Sequence, residues 1–178
     1  MALPSIEFVR EALAYEPLTG ELRWKERPRS HFKTERGYRI FRSRFAGRVA
    51  GHVFASTGYR LVNLGDYGHI GVHRLAIAIV AGTWPEVVDH VNGDTLDNRL
   101  ENLRACTKAQ NCMNRKRNRA NRSGLKGVSS LPNSSRWQAR IQHKGVQIHL
   151  GMFDTPELAH AAYVAAARNL HGEFANFG

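Results

Sequence analysis

The sequence has few cysteines, few acidic residues and no long apolar run. Its 178 residues include two cysteines, Cys106 and Cys112, which do not make a disulfide framework and are not spaced as a zinc knuckle. The apolar run 76–81 is far shorter than the roughly 20 residues that a membrane span needs. The first residues also lack the basic and apolar regions of a signal peptide. We therefore expect a reducing, cytoplasmic setting and no membrane association.

Acidic side chains are outnumbered by basic ones. The chain has 26 Lys and Arg residues against 15 Asp and Glu residues, which gives a net charge of +11. This balance favours a polyanionic partner. A charge run is usually a solvated face, but the run at residues 104–126 contains no acid and joins two segments that carry motifs, so we expect it to contact nucleic acid. Its basic residues are Arg104, Lys108, Arg115, Lys116, Arg117, Arg119, Arg122 and Lys126.

Residues 1–55 are predicted to be an α+β segment with a basic arm. Ser5 is placed to cap a helix that runs to about residue 15, and a turn then leads to an alternating strand at Glu21–Trp24. Residues 25–45 are basic and poorly patterned. A DNA-contacting arm and a disordered loop are equally compatible with that pattern.

Residues 47–81 predict short strands separated by glycine turns and followed by a helix. The alternating stretch 58–64 is expected to pair with residues 68–72. The apolar helix beginning at Arg74 is then expected to pack on this sheet. His73 stands at the junction, where a buried structural histidine is the simpler interpretation.

The most informative stretch is residues 87–111. A short apolar run ends at the adjacent pair Asp89 and His90, and a turn-forming Asn-Gly follows. Residues 104–107 predict a second strand. Thr107 and a glutamine three residues later have the form of a capping box, which marks the start of a helix. The order is therefore strand, loop, strand and helix.

Several linked motifs in this order resemble the HNH endonucleases, in the phage and intron-homing branch where asparagine replaces the last histidine ligand. The resemblance implies a ββα-metal (His-Me finger) nuclease domain at residues 56–116. It is carried by Val72-His73-Arg74-Leu75, Asp89-His90-Val91-Asn92-Gly93-Asp94, Leu96-Asp97-Asn98-Arg99, Glu101-Asn102-Leu103-Arg104, Gln110-Asn111 and Asn114.

Phosphodiester hydrolysis needs an activated water, a cation on the phosphate and neutralisation of the leaving oxygen. The resemblance implies His90 as the general base, since imidazole titrates near neutral pH. It implies Asp89 and Asn111 as ligands of one divalent cation per active site. Because both offer hard oxygen, Mg²⁺ or Mn²⁺ suits them better than Zn²⁺.

Other polar residues of the motif are expected to shape the loop. Asn102 matches the central asparagine of the family, which fixes the loop so that His90 points correctly. Asn98 and Asp94 are expected to tie the loop through side-chain-to-backbone hydrogen bonds. Cys112 is most simply a small buried residue.

Residues 117–123 are predicted to be a basic linker, and residues 124–178 a separate domain. This domain should contain three strands, near residues 126–128, 136–141 and 146–153, followed by a helix. Thr155 is placed as the helix cap with proline directly after it.

The C-terminal segment resembles the ethylene-response-factor (Apetala-type) DNA-binding domain, which is a three-stranded antiparallel sheet backed by one helix. The strings that carry this resemblance are Lys126-Gly127-Val128, Trp137-Gln138-Ala139-Arg140-Ile141, Leu150-Gly151-Met152-Phe153-Asp154-Thr155-Pro156-Glu157, Ala161-Ala162-Tyr163 and His171-Gly172. Trp137 is expected to pack in the core. The family's sheet enters the major groove, which implies DNA contacts from Lys126, Ser129, Arg140, Gln142, Gln147 and His149.

Together these features predict an α+β endonuclease that acts on double-stranded DNA, encoded by a phage or mobile element and working in the bacterial cytoplasm. A monomer would nick one strand, and a weak dimer would cut both. The alternatives are a non-catalytic phage DNA-binding regulator with a decayed nuclease centre, and a protein that acts on RNA. Removal of residues 124–178 is expected to weaken target selection more than cutting.

Overall fold

The computed structural model describes residues 2–118, 120–132 and 134–178, and the chain divides into two compact units, residues 1–106 and 107–178. It is a mixed α/β structure with several small sheets. No helix within the described ranges has the length and apolar character that crossing a bilayer requires. The first unit contains α1 (Ile6–Ala12), β1 (Leu13–Glu16), β2 (Glu21–Trp24), α2 (Glu35–Arg44), β3 (His52–Phe54), β4 (Tyr59–Asn63), β5 (His69–Gly71), α3 (Val72–Ala81), β6 (Val87–His90) and β7 (Leu103–Cys106). The second unit contains α4 (Lys108–Met113), β8 (Val128–Ser130), β9 (Trp137–His143), β10 (Val146–Phe153) and α5 (Pro156–His171).

The N-terminal helix is shorter than the sequence predicted. The hydroxyl of Ser5 caps α1 by accepting a hydrogen bond from the amide of Phe8 at 3.1 Å, as expected. The helix ends at Ala12 because the next four residues form β1, which pairs antiparallel with β2. A short strand was hidden in the predicted helix because Leu13 is apolar and fits either pattern; here it is buried in the core.

The basic segment 25–45 is folded, so its interpretation as a disordered loop is wrong. It contains α2, which is capped by Thr34 and buries Phe41 in the core. Arg27 is 9% exposed, and its guanidinium carbon lies 4.7 Å from the ring centre of Phe32 and 5.1 Å from that of Phe41. Cation–π contacts of this kind compensate in part for the lost hydration of the charge.

The central sheet and its helix follow the predicted order. β4 pairs antiparallel with both β3 and β5. α3 packs its buried residues against this sheet, with Val72 and Leu75 fully buried. Further along the same helix, Ala76 and Ile77 pack against Val88 of β6 and Leu103 of β7. One apolar helix therefore supports both the central sheet and the β6–β7 hairpin.

The second unit is built on a three-stranded antiparallel sheet in the order β10–β9–β8. Alternate residues of β9, Ala139 and Ile141, are buried against α5. Thr155 caps α5 as predicted, since its hydroxyl accepts from the amide of Leu158 at 3.3 Å. Trp137 packs in the core beneath the sheet, also as predicted.

The segment predicted as a linker carries internal hydrogen bonds. The side-chain amide of Asn121 donates to the carbonyl oxygens of Leu125 at 2.9 Å and Val128 at 3.2 Å. The hydroxyl oxygen of Ser123 lies 3.0 Å from each of the same two carbonyl oxygens, within hydrogen-bonding distance of both. The residues before β8 are therefore tied to the beginning of that strand.

The hairpin formed by β1 and β2 contacts the residues that precede β7. The hydroxyl of Tyr15 donates to the carbonyl of Asn98 at 2.7 Å, and the amide of Leu100 donates to the carbonyl of Pro17 at 3.0 Å. Gly20 has a φ of +75°, and a Cβ placed on it would lie 2.4 Å from the carbonyl carbon of Asn98. The two backbones therefore pack with no room for a side chain.

We expect Gly20→Ala to destabilise the protein more than Gly47→Ala. Both glycines have left-handed φ values, +75° and +78°, but a Cβ on Gly47 would meet nothing within 4 Å. In both variants the free energy of unfolding should fall by about 1–2 kcal/mol, because alanine is unfavourable in the left-handed backbone conformation. Gly20→Ala should lose about 1–3 kcal/mol more, because the atoms it meets are backbone and cannot rotate away. Urea unfolding measures both, and equal losses would contradict the close backbone packing.

Candidate functional site

Asp89 and His90 end strand β6, where the register pairs them with Arg104 and Leu103 of β7. Both side chains are buried, at 5% and 4% exposure. The carboxylate Oδ2 of Asp89 accepts hydrogen bonds from Arg104 Nε at 2.9 Å and Nη2 at 2.6 Å. The cross-strand pair therefore fixes the orientation of the carboxylate, as charge-assisted bonds to a guanidinium do.

This ion pair bears on the prediction that Arg104 contacts DNA. The guanidinium lies on Asp89, and its side chain is 16% exposed. The structure therefore gives Arg104 a role inside the hairpin.

The imidazole of His90 is held by Asn98. His90 Nε2 lies 3.4 Å from Asn98 Oδ1, and the amide nitrogen of Asn98 donates to the carbonyl of Leu96 at 3.1 Å. Because an amide oxygen only accepts, this contact favours the tautomer with the proton on Nε2. Burial lowers the pKa of His90 below its usual 6.5, against the opposing effects of Asn98 and Asp89.

Asn102 joins both ends of the loop between the strands. Its Oδ1 accepts from the amide of Asn92 at 2.9 Å, and its Nδ2 donates to the carbonyl of Asp97 at 2.7 Å. Its own carbonyl accepts from the amide of Val91 at 2.9 Å. Asn102 is 5% exposed, so these bonds are shielded from water.

Other loop residues hold the turn itself. Asp94 Oδ1 accepts from the amide of Leu96 at 2.9 Å, which agrees with the side-chain-to-backbone tie expected for Asp94. Asp97 accepts from Asn92 Nδ2 at 2.9 Å and from the Arg99 guanidinium at 2.8 Å and 2.9 Å. The hydrogen bond from Arg99 holds the pKa of Asp97 well below its usual range. The roles of Asp97 and Arg99 were missed, although their polar spacing in a loop was visible in the sequence.

His73 lies beside His90 in space although the two are 17 positions apart in the sequence. Their ring centres are 5.2 Å apart, and the ring of Tyr59 is 5.0 Å from His73. A Cβ on Gly71 would come within 2.5 Å of the His73 ring, so glycine makes room for it. Burial, followed by the neighbouring His90 and Arg74, lowers the pKa of His73 to about 4.

We expect His73 to make the protein less stable at mildly acidic pH. Its folded-state pKa of about 4 lies below the usual 6.5, so the folded state binds the proton more weakly than the unfolded chain. The contribution of His73 to the free energy of unfolding is therefore at its full value above pH 6.5. It falls by about 3 kcal/mol as the pH is lowered from 6.5 towards 4. Urea unfolding at pH 7 and pH 4 should show this excess loss, and His73→Phe should remove it. His69→Phe, which changes an exposed histidine of β5, serves as the control. An unchanged pH dependence in His73→Phe would contradict the assignment.

Asn111 lies in α4, in the second unit. The predicted capping box is present: Thr107 Oγ1 accepts from the amide of Gln110 at 3.2 Å, and Gln110 Oε1 accepts from the amide of Thr107 at 2.8 Å. The helix ends at Met113 with Asn114 as its C-cap. Cys112 is exposed, so its prediction as a buried residue was wrong.

A divalent cation fits the chemistry of the proposed ligands. Asp89 supplies a carboxylate and Asn111 an amide oxygen, which are hard donors of the kind that Mg²⁺ and Mn²⁺ prefer. A carboxylate has about four acceptor directions, so a contact with Arg104 and a metal bond are compatible on Asp89. In the described parts of the chain no group of three or more His, Cys, Asp or Glu residues is placed to hold a metal. Asp89 and Asn111 are two ligands, fewer than the three residues that define such a group.

Several residues that were predicted to contact DNA lie on one face of the sheet in the second unit. Arg140 donates to Ser129 Oγ and to Gln147 Oε1, each at 3.2 Å. His149 pairs with Arg140 across β9 and β10, and its Nδ1 lies 3.0 Å from Gln138 Nε2. These side chains alternate with the buried residues of β9, so they occupy the sheet face opposite α5. Gln138 shares this face and was missed.

An open cavity of about 980 Å³ lies within the second unit. Among its described lining residues six are Lys or Arg and none is acidic, which suits a polyanion. Gln142 and Gln147 also line it. Arg119 lies outside the described residues, and Lys108 and Arg122 are exposed. The six cations are Arg115, Lys116, Arg117, Lys126, Arg140 and Lys144.

The comparisons with known proteins match the central motif. Residues 71–113 match the family model described as HNH endonuclease. The chain is 34% identical over 90 residues to Protein 3.8 of Escherichia phage T7, covering 51% of this chain and 74% of that protein. It is 31% identical over 113 residues to an uncharacterized HNH endonuclease of Acanthamoeba polyphaga mimivirus, covering 62% of this chain and 58% of that protein. No solved structure matches the chain. The chain therefore belongs to the family of Protein 3.8 of Escherichia phage T7 and contains an HNH endonuclease domain at residues 71–113.

Proposed function

We propose that this protein is a metal-dependent endonuclease that hydrolyses phosphodiester bonds in double-stranded DNA. The observation that supports this best is the buried pair Asp89 and His90 at the end of β6, with His90 held by Asn98. Burying two adjacent titratable groups costs hydration, and such groups are concentrated at functional sites. The HNH endonuclease domain covers this region.

His90 is the proposed general base. Asn98 holds the ring through Nε2, and the imidazole would take the proton of the attacking water. Because burial lowers its pKa below 6.5, the imidazole is neutral at physiological pH, as a base must be. Asn102 is the proposed positioning residue, since it holds the loop that brings Asn98 to His90.

Asp89 and Asn111 are the proposed ligands of one Mg²⁺ or Mn²⁺ ion, and β6, β7 and α4 are the corresponding elements of the proposed ββα-metal core. When bound, the ion would supply the positive charge that stabilises the phosphate and the leaving oxygen. Arg104 holds Asp89 in one orientation through two hydrogen bonds. This preorganisation would reduce the conformational freedom that the carboxylate loses on ligation.

The second unit is the proposed DNA-binding module of the ethylene-response-factor type. Its sheet face offers Ser129, Arg140, Gln147 and His149, and the cavity beside it is lined by cations. Arginine and glutamine side chains can read base edges, while a basic groove holds the phosphate backbone. A monomer with one catalytic centre would nick one strand.

A non-catalytic DNA-binding regulator is the second candidate. The observation in its favour is Arg104, whose positive charge lies directly on the proposed metal ligand Asp89. A cation binds less readily beside another positive charge. The basic face of the second unit would be sufficient for binding DNA without cutting it.

Plasmid nicking separates the two functions. We expect the wild-type protein to nick supercoiled DNA with Mg²⁺ and to lose this activity when EDTA is added. His90→Ala should nick at least about 100-fold more slowly, because a general base contributes roughly 10²–10⁴-fold. His69→Ala, at an exposed position of β5, should nick at the wild-type rate. Wild-type protein that binds the plasmid but never nicks it would support the regulator.

Salt dependence tests the backbone contacts. We expect log Kd for duplex DNA to rise linearly with log salt concentration, since cations at the phosphates release counterions. Replacing Arg115, Lys116 and Arg117 together by Gln should make the slope shallower by roughly 3, because each phosphate that is no longer neutralised reduces it by about 0.9. A slope unchanged by this triple substitution would place the phosphate contacts elsewhere. Stronger competition by structured RNA than by duplex DNA would indicate RNA as the substrate.

A further inference from the structure

The helix that carries Asn111 is too short to be stable by itself. α4 has six residues, Lys108–Met113. Isolated helices shorter than about 12–15 residues are marginal in water because nucleation is unfavourable. The capping box satisfies the first amides of α4. The remaining stabilisation has to come from contacts with other parts of the chain.

The C-terminal residues make such contacts at the end of α4. The side-chain amide of Asn176 donates to the carbonyl of Asn114 at 3.0 Å and to its Oδ1 at 3.2 Å. Asn114 is the C-cap of the helix and is 7% exposed. The amide of Gly178 donates to Asn176 Oδ1 at 2.9 Å, which fixes the side chain so that its nitrogen faces Asn114.

Lys126 completes the attachment. Its ammonium group donates to the carbonyl of Asn176 at 2.9 Å, to that of Met113 at 3.5 Å and to that of Arg115. An ammonium group has three donors, and here all three bind backbone oxygens. Its positive charge lies at the C-terminal end of α4, where the helix dipole favours a cation. Burial lowers the pKa of this ammonium to about 8.

The same carbonyl of Asn176 connects the tail to α5. The hydroxyl of Tyr163 donates to it at 3.2 Å. Tyr163 is buried in the core between α5 and the sheet. The end of α4 is therefore tied, through Asn176 and Lys126, to the core between α5 and the sheet.

We propose that Asn176 and Lys126 are positioning residues for α4 and therefore for Asn111. This rests on the proposed function, in which Asn111 is a metal ligand. The DNA-binding module would then take part in metal binding, because its C-terminal tail holds the ligand-bearing helix. Removing residues 124–178 would remove both positioning residues, so it should impair cutting as well as target selection. This differs from the expectation drawn from the sequence.

Hydrogen exchange tests the attachment without relying on activity. The amide of Asn111 donates to the carbonyl of Thr107 at 3.0 Å, so its exchange reports opening of α4. We expect Asn176→Ala and Lys126→Met each to accelerate exchange in residues 110–113 at least about fivefold, while exchange in β9 and β10 stays unchanged. Asn169→Ala, at an exposed position of α5, is the matched control and should behave as the wild type. Wild-type exchange of α4 in both test variants would overturn the proposal.

A magnesium titration of nicking tests the link to the metal. Asn176→Ala should raise the Mg²⁺ concentration for half-maximal nicking several-fold, while its affinity for DNA in EDTA remains that of the wild type. Lys126→Arg, which keeps a positively charged hydrogen-bond donor, should restore most of the nicking at low Mg²⁺ concentration that Lys126→Met loses. If exchange accelerates but the Mg²⁺ requirement does not change, the role in metal binding is overturned. If Asn111→Ala nicks as well as the wild type, the ligand assignment of the proposed function fails, and the exchange measurements still decide whether the tail holds α4.

Discussion

The buried side chain of Asn102 is the interaction on which the proposed catalytic loop depends. One amide group accepts from the beginning of the loop, at Asn92, and donates to its end, at Asp97. Both polar ends of the amide are satisfied inside the protein, so burying it carries little penalty. Removing it would leave two backbone groups without these partners and would loosen the loop that carries Asn98 to the ring of His90. One side chain after the loop thus connects its two ends.

The loop is also supported from outside the motif. The β1–β2 hairpin contributes Tyr15 of β1 and Gly20 of the turn, which contact the backbone at Asn98 from more than 75 positions earlier in the sequence. Behind the strands, α3 packs against both β6 and β7 and carries His73 to the side of His90. A site placed on strands and backed by a helix is held more rigidly than a loop alone. The N-terminal segment therefore has a structural reason to accompany the HNH endonuclease domain.

In the proposed function the second unit combines two roles that the sequence suggested were separate, DNA binding and the support of α4. Its sheet turns one face to α5 and presents Arg140 and its hydrogen-bonded neighbours on the other. Its C-terminal tail meanwhile holds the end of α4. Lys126 illustrates the difference, because a basic residue in a basic run suggested a phosphate contact, whereas its ammonium binds three backbone carbonyls. A charge that is hydrogen-bonded within the protein stabilises the fold and is less available to a binding partner.

The sequence by itself determined the elements whose signals are local. The caps at Ser5 and Thr155, the capping box at Thr107 and the alternation of β4 and β9 depend on neighbouring residues, and the structure contains all of them. Only the tertiary structure decided which partner each polar side chain takes. The pairing of Arg104 with Asp89 and the nearness of His73 to His90 depend on contacts between separate segments, which no local pattern encodes. Packing also decided that residues 25–45 fold, since Arg27 contacts two rings of its own segment and the rings of Phe8 and Trp24 from earlier in the unit.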